Sequence, residues 1–486
     1  MLGRGSDWHS IEIGMLKKSK PMLANKPNVL WIMADQLRPQ ALSCYADVNS
    51  LSPCLDRFAS EGITCEMAVT NCPVCMPARA ALVTSQYGHV NGVRVHGDFL
   101  PPDRRTVAHS FSDAGYRTSY VGKLHLASTN SNWTTGEEFW VHPSMRAGFE
   151  DFFGFDLSNH YYNTHYCTGD LCRGIKIDAH QTDGLTELSL DYLAHTAFKS
   201  GKPWFHVVSY EAPHPGGSGA ANLYRPFPAP PEFEAMFDPA KLRLRPNVPD
   251  GQHDAVRQQA AGYYSMIAHL DHNIGRILDL VEQQEQTENT LVVFFADHGE
   301  MLGSHGRFHK QLAYDESIRI PLLVRWPGVI PPNARYDGIV SILDIYPTCA
   351  GFCGVAPAAE IQGLDHSNAL LGRAVPPRAE ALIQWLGETR YGWGDYPYRA
   401  IRTQQYTYSV SAQNVNERHG GHFRLLFDNT VDPYQLVNLF GAPEVKELQA
   451  ALHVRLCQVI REAGEEVPEF VEEVPAEFGL VCNLQA

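Results

Sequence analysis

The sequence predicts an α/β fold: a large, mainly parallel central sheet flanked by helices, followed by a smaller C-terminal α+β domain with an antiparallel sheet. Three observations carry this. Short, almost wholly apolar runs, the pattern of strands buried on both faces, recur as far as residue 296, and each ends in polar residues. Between two of them Ile267, Leu270, Ile274, Ile277, Leu278 and Val281 repeat at helical spacing, which supplies an amphipathic helix to cover a sheet face. After Pro376-Pro377 the texture changes to short β-prone runs.

Taken in order, the first run, Asn28 to Ala34, opens behind Pro27 and ends in Asp35-Gln36. The second, Trp204 to Tyr210, ends in Glu211-Ala-Pro-His214, and the third, Leu291 to Ala296, in Asp297-His298. Open α/β sheets place their sites at the C-terminal edge of the strands, so three endings distant in sequence are expected to meet in one crevice. Beyond the linker, Tyr398 to Val410 and Phe423 to Phe427 read as strands. Pro443 opens a helix whose Val445, Leu448, Leu452, Leu456 and Val459 form one apolar stripe.

At 486 residues the chain exceeds the size at which one core stops growing, so two packed units are expected, residues 27–374 and 375–486, behind a disordered leader, residues 1–26. Its 44% hydrophobic and 19% charged residues are those of a globular protein, and no stretch approaches the ~20 apolar residues of a membrane span. A formal net charge of −15 argues against nucleic acid or an anionic membrane as partner, but not against an anionic substrate held by a few local cations. Lys17, Lys18 and Lys20 lack the continuous apolar segment of an export signal, and the eleven cysteines are odd in number and thinly spread. A reduced, cytoplasmic setting is expected. Asn132-Trp133-Thr134 spells a glycosylation acceptor too short to carry weight, and oligomeric state leaves no trace.

Cys75-Met-Pro-Ala-Arg79 leads into the helix-forming Ala80-Ala-Leu-Val-Thr84, which puts Cys75 at a helix N-terminus, where free N–H groups and the macrodipole favour an anion. A free cysteine is most often buried and inert, the fate expected of Cys44, Cys65, Cys349 and Cys457. Cys72-Pro-Val-Cys75 also spells a CxxC pair, but no second pair completes a zinc site. In the run Gly115-Tyr-Arg-Thr-Ser-Tyr-Val-Gly122-Lys123-Leu-His125, an extended chain sends Lys123 and His125 to the same face. Pro213-His214-Pro215 fixes a histidine at a rigid turn, and Asp297-His-Gly-Glu300 is followed by His305 and Lys310.

Cys75, Pro77 and Arg79 form the Cys-x-Pro-x-Arg pattern recognised by the enzyme that oxidises cysteine to formylglycine. With the Gly115 to His125 run and the residues from Asp297 to Lys310, the chain resembles the sulfatases from Asn28 to the segments Leu426-Phe-Asp428 and Asp432 to Leu439. The resemblance implies an alkaline-phosphatase-like fold, hydrolysis of sulfate monoesters of an aryl alcohol or a sugar, maturation of Cys75 by a formylglycine-generating enzyme, and one divalent metal. The aldehyde hydrates to a geminal diol; one hydroxyl attacks sulfur, and deprotonation of the other later expels sulfate.

By the same resemblance Asp35, Gln36, Cys75, Asp297 and His298 hold the metal, with Asp297 aiding ionisation of the diol, while Arg79 holds the diol and the carboxylates. Lys123 and Lys310 bind sulfate oxygens, His125 takes the diol proton and His214 protonates the leaving alcohol. Glu300 and His305 are expected just behind them. Calcium is the first expectation for so oxygen-rich a site, with manganese the alternative because His298 brings an imidazole. Gln36, Met76, Ser85, Leu124 and His298 depart from the commonest family residues. His96 stands where relatives carry asparagine, either facing substrate or as a structural histidine. A single Asp after a strand is also a common helix N-cap, and a lone Lys310 a common solvated charge; the joint pattern is what these readings leave unexplained.

The rival is a phosphonate monoesterase or phosphodiesterase, which shares Cys-x-Pro-x-Arg and an Asp-Gln plus Asp-His set. It usually carries hydroxyl-bearing residues where this chain has Lys123-Leu-His125. Trp385, Arg390, Tyr391, Trp393 and Tyr398 are aromatic and basic enough to stack on and grip a sulfated sugar, and core packing explains the aromatics equally well.

Overall fold

The run Asn28–Ala34 is a strand buried along its whole length, because the sheet around it is covered on both faces. The computed structural model describes residues 26–127, 140–171, 173–216, 226–387, 397–412 and 424–474. Most of the leader, the triplet at Asn132, Phe423, and the sugar-binding candidates Arg390, Tyr391 and Trp393 lie outside them.

In chain order the strands are β1 (Asn28–Ala34), β2 (Ile63–Val69), β3 (Arg117–Lys123), β4 (Asp151–Phe155), β5 (His165–Thr168), β6 (Ile175–Lys176), β7 (Trp204–Ser209), β8 (Thr290–Ala296), β9 (Arg319–Ile320), β10 (Leu322–Arg325), β11 (Ala334–Ser341), β12 (Glu380–Trp385), β13 (Tyr398–Thr403), β14 (Tyr406–Ser411) and β15 (Leu425–Asp428). Among the described residues the central sheet runs β11-β2-β10-β8-β1-β7-β3-β4-β5-β6, with β9 beside β2. Its middle, from β8 through β1, β7 and β3 to β4, is parallel. Antiparallel pairings involve β9 and β10 on one side and β5 and β6 on the other.

Register places the site. Ala34 pairs with Ala296, Met33 with Ser209 and Gly122 with Ser209, so β1, β8, β7 and β3 end nearly level at one edge. Helix His253–Gln283 buries the predicted stripe of Ile267, Leu270, Ile274, Ile277, Leu278 and Val281. Helix Cys75–Thr84 is buried all round; apart from Arg79 and Thr84 its residues are apolar or Cys75, and Arg79 is paired where it is buried.

The second sheet is antiparallel, β12-β13-β14-β15. The predicted run Tyr398 to Val410 is a hairpin rather than one strand, turning between Thr403 and Tyr406. Leu382, Ile401, Tyr408 and Leu426 share a face and join the main core together with Leu452 and Leu456 of helix Lys446–Glu462. That helix begins later than Pro443, which opens a 3₁₀ turn, Pro443–Val445. On the opposite face Ile383, Trp385, Tyr398, Ala400, Leu425 and Phe427 pack on Cys72, Val74, Met301 and Leu312. Trp385 and Tyr398 are therefore core residues and no platform for a sugar. Every cysteine among the described residues is free; Cys44 is only half-buried, unlike Cys65, Cys349 and Cys457. No helix of the described residues is long and apolar enough to cross a membrane.

Candidate active site

Asp35 follows β1, Asp297 follows β8, and helix Cys75–Thr84 points its N-terminus between them. Cys75 is the first residue of that helix and 1% exposed; its Sγ lies 3.1 Å from His298 Nε2 and 3.5 Å from Asp35 Oδ1. One ligand atom from each of Asp35, Cys75, Asp297 and His298 lies within 4.8 Å of the others, and all four residues are buried. His298 Nδ1 meets Gly299 O at 3.0 Å, which commits its proton there and leaves the Nε2 lone pair facing the cluster. Burial keeps this imidazole neutral by lowering its pKa. Two carboxylates, a neutral imidazole nitrogen and the side chain at 75 make a donor set that fits a divalent cation.

Arg79, one helical turn beyond Cys75, binds both carboxylates. Its Nε donates to Asp297 Oδ2 at 2.9 Å and Nη2 to Asp35 Oδ2 at 3.0 Å, while Nη1 donates to Lys123 O at 2.7 Å and Ser209 Oγ at 3.0 Å. Burial alone would raise the Asp35 carboxyl, but the charges of Lys123 and then Arg79 hold it well below the usual carboxylate range. Burial, then the Asp35 carboxylate, pushes the Cys75 thiol up to about 12, so an unmodified cysteine here is a protonated and poor nucleophile.

Lys123 Nζ lies 2.7 Å from Asp35 Oδ2 and 3.1 Å from Glu211 Oε1. On the other side Lys310 Nζ donates to Gln36 Oε1 and, at 3.0 Å, to His214 Nε2. His214 Nδ1 donates to Pro215 O at 2.8 Å, so Nε2 is the atom turned inward. Burial, then the Lys310 charge, lowers the basicity of His214. The Gln36 amide is pinned at its other end by the Glu300 carboxylate, and its backbone N–H donates to Asp297 Oδ1 at 3.0 Å. Gln36 has φ 63, and His125, His305, His309 and Gln311 also adopt left-handed backbone, strain of the kind that gathers at functional sites.

The structure thus brings together Asp35, Gln36, Cys75, Arg79, Lys123, His214, Asp297, His298 and Lys310. His125 arrives by a different route from the one expected. The strand ends at Lys123, and His125 has φ 55, so alternation along an extended chain does not place it. Asp156 Oδ1 accepts from the N–H groups of Leu126 and Ala127, each at 2.8 Å, and so bends the chain. The His125 ring faces His96 at 5.2 Å between centroids, and burial followed by the Lys123 charge lowers its pKa well below the ordinary value. His96 stands in the wall of the site, with its own pKa lowered to about 3 by burial and then by Lys310 and Lys123. Glu300 lies directly behind the site, where Oε1 accepts from Leu302 N at 2.8 Å and His309 N at 2.7 Å and closes the loop that presents Lys310. His305 is not part of it; its ring stacks on Tyr314 at 4.2 Å. Ser209, the last residue of β7, escapes sequence reasoning, and Glu211 is marked there only as one of the polar residues after an apolar run, with no role of its own.

Residues 27–355 match the family model for sulfatases, and residues 303–462 match the C-terminal model of N-sulphoglucosamine sulphohydrolase. An ulvan-active sulfatase of Formosa agariphila is 33% identical over 445 residues, covering 91% of this chain and 82% of that protein. An endo-4-O-sulfatase of Bacteroides thetaiotaomicron is 28% identical over 501 residues, covering 93% and 94%. The fold matches the Bacteroides fragilis crystal structure assigned to sulfatase YidJ with a TM-score of 0.79 and 26% identity, covering 93% of this chain and 98% of that one. With the family model spanning most of the chain, this protein belongs to the sulfatase family: it is a sulfuric ester hydrolase of alkaline-phosphatase-like fold.

Proposed function

We propose that the protein hydrolyses sulfate monoesters of carbohydrates with a formylglycine made from Cys75 and one divalent metal. The observation that carries this reading is the buried cluster of Asp35, Cys75, Asp297 and His298, with two lysines and two histidines around it. The modified residue at 75 and those three ligands would hold the cation, with Gln36 beside them. Calcium is favoured by the oxygen donors and manganese is the alternative. A cation there supplies positive charge that lets a nucleophile approach an ester that is itself anionic.

The chain's own residues divide the remaining work. Arg79 fixes the two carboxylates relative to position 75. Lys123 and Lys310 bring positive charge to the sulfuryl oxygens from opposite sides. His125 is the base at the diol. His214 presents Nε2 beside the Lys310 ammonium, and its lowered basicity makes its protonated form a strong acid toward a departing alkoxide. A carbohydrate ester is supported by the ulvan-active and endo-4-O-sulfatases among the relatives. Lys123 and His125, both buried in the site, favour a sulfate over a phosphonate monoester.

Peptide mass spectrometry of protein produced with its formylglycine-generating enzyme is expected to find an aldehyde at position 75. An active protein with Cys75 wholly unmodified would sink the mechanism. A panel of sulfated sugars, aryl sulfates, choline sulfate and phosphonate monoesters should show the highest kcat/KM on a sulfated sugar; a large preference for phosphonates overturns the reading.

A further inference from the structure

We infer that Glu211 is a positioning residue that holds both flanks of the reacting ester, Lys123 through its side chain and His214 through its backbone; this rests on the sulfatase mechanism proposed above. Lys123 lies between two carboxylates, Asp35 at 2.7 Å and Glu211 at 3.1 Å, and all three side chains are 0% exposed. The two carboxylates are not equivalent. Asp35 Oδ2 is shared with Arg79 Nη2 at 3.0 Å, and Asp35 belongs to the cluster facing Cys75. Glu211 is outside that cluster, and its other partners are neutral: the Asn159 N–H at 3.0 and 3.2 Å and Gln181 Nε2 at 2.9 Å. Among the described residues its charge is therefore matched to Lys123 alone.

The backbone supplies the second half. Glu211 O accepts from His214 N at 2.9 Å, which closes the turn that delivers the histidine. From the opposite side Tyr161 OH donates to His214 O at 2.6 Å, and Gln181 N donates to Tyr161 O at 2.6 Å. Gln181 thus reaches Glu211 by its side chain and the His214 support by its backbone. Without the Glu211 charge, Lys123 would be drawn toward Asp35 and away from the sulfuryl oxygens. The loss belongs to the transition state, in kcat more than in KM.

The test compares matured wild-type protein, Glu211→Gln, Lys123→Met and the double variant on aryl sulfates whose phenols differ in acidity. Glu211→Gln should lower kcat by about 10- to 100-fold with KM held within about 3-fold, and by the same factor across the series, because Lys123 acts at the sulfuryl group. His214→Ala, in contrast, should lose more as the phenol becomes a poorer leaving group. In the Lys123→Met background, Glu211→Gln should add little, and Glu211→Asp, which keeps the charge, should retain part of the activity that Gln loses. Full kcat in Glu211→Gln, losses that multiply in the double variant, or a Glu211→Gln loss that grows with phenol pKa would each overturn the inference. If Glu211→Gln does not fold, Glu211→Asp decides on the same criterion of shared or multiplied loss with Lys123→Met. Absence of sulfate release by the wild type is a separate outcome, and counts against the sulfatase mechanism itself.

Discussion

Arg79 joins two buried carboxylates, a backbone carbonyl and a serine with one planar group. A lysine offers a point charge that cannot span Asp35 and Asp297 together. Arg79→Lys should therefore lower kcat by roughly 10²-fold or more and destabilise the fold by ~3 kcal/mol, read by steady-state kinetics and thermal unfolding. A variant with near wild-type kcat would show that the fork is dispensable. The placement of Asp35, Cys75, Arg79 and Asp297 is legible in the sequence because each sits where an apolar strand ends or a helix begins. His125 is not placed by the same reasoning. Alternation presupposes that the strand continues, and a carboxylate more than thirty positions away, Asp156, ends it. Glu211 carries no motif because its partner lies on another strand.

At the scale of elements, strands β3 and β7 meet closely where they reach the site. Gly122 has φ +104, and a Cβ there would stand 2.1 Å from Ser209 O. Gly122→Ala should cost about 2–4 kcal/mol and displace Lys123, lowering both the urea midpoint and kcat; an unchanged midpoint would show that the strands yield. Arg402 on β13 ties the second sheet to the short helix Asp315–Ile318 that leads into β9, donating to Asp315 Oδ1 at 2.8 Å and Oδ2 at 3.0 Å. Burial alone would raise the Asp315 carboxyl, but Arg402, then Arg319 and Arg245, hold it below its ordinary value. A carboxylate lowered in this way contributes stability that is fully present above an unfolded-state pKa of ~3.9 and is lost as pH falls through the lower folded value. Wild type should lose stability on acidification below about pH 4. Asp315→Asn should start about 3–5 kcal/mol less stable at pH 7 and depend less on pH in that window. Denaturant unfolding at pH 7 and in that acid window measures both, and equal slopes for the two proteins would refute the link. The first strand is legible to the residue because apolar burial is continuous over it, whereas the hairpin at Thr403 to Tyr406 hides inside a run with no glycine or proline to mark its turn.

Over the whole molecule the proposed cation would sit against the buried carboxylates of Asp35 and Asp297, so its binding should be visible in stability as well as in rate. Protein stripped by a chelator should melt at a lower temperature, and calcium or manganese should restore it, by about 2.7 kcal/mol at a hundredfold excess over Kd. An unchanged melting temperature with either ion would refute the donor set as a metal site. The α/β class and its strand-edge crevice are legible in the alternation of apolar runs and helical stripes. The seating of the second sheet is not, because β12 is apolar at both Leu382 and Ile383 and period-two patterning cannot say which face meets what. One of those faces has a consequence in time. Cys72 and Val74, directly before Cys75, lie under Ile383, Trp385 and Leu425, residues synthesised long after them. On the proposed maturation, an oxidising partner reaches the Cys75 thiol only before these strands have packed over its neighbours. Yield of active enzyme would then be set by a race between that partner and folding, and a chain that folds before it is oxidised, with its thiol already sealed, would stay inert however native its fold.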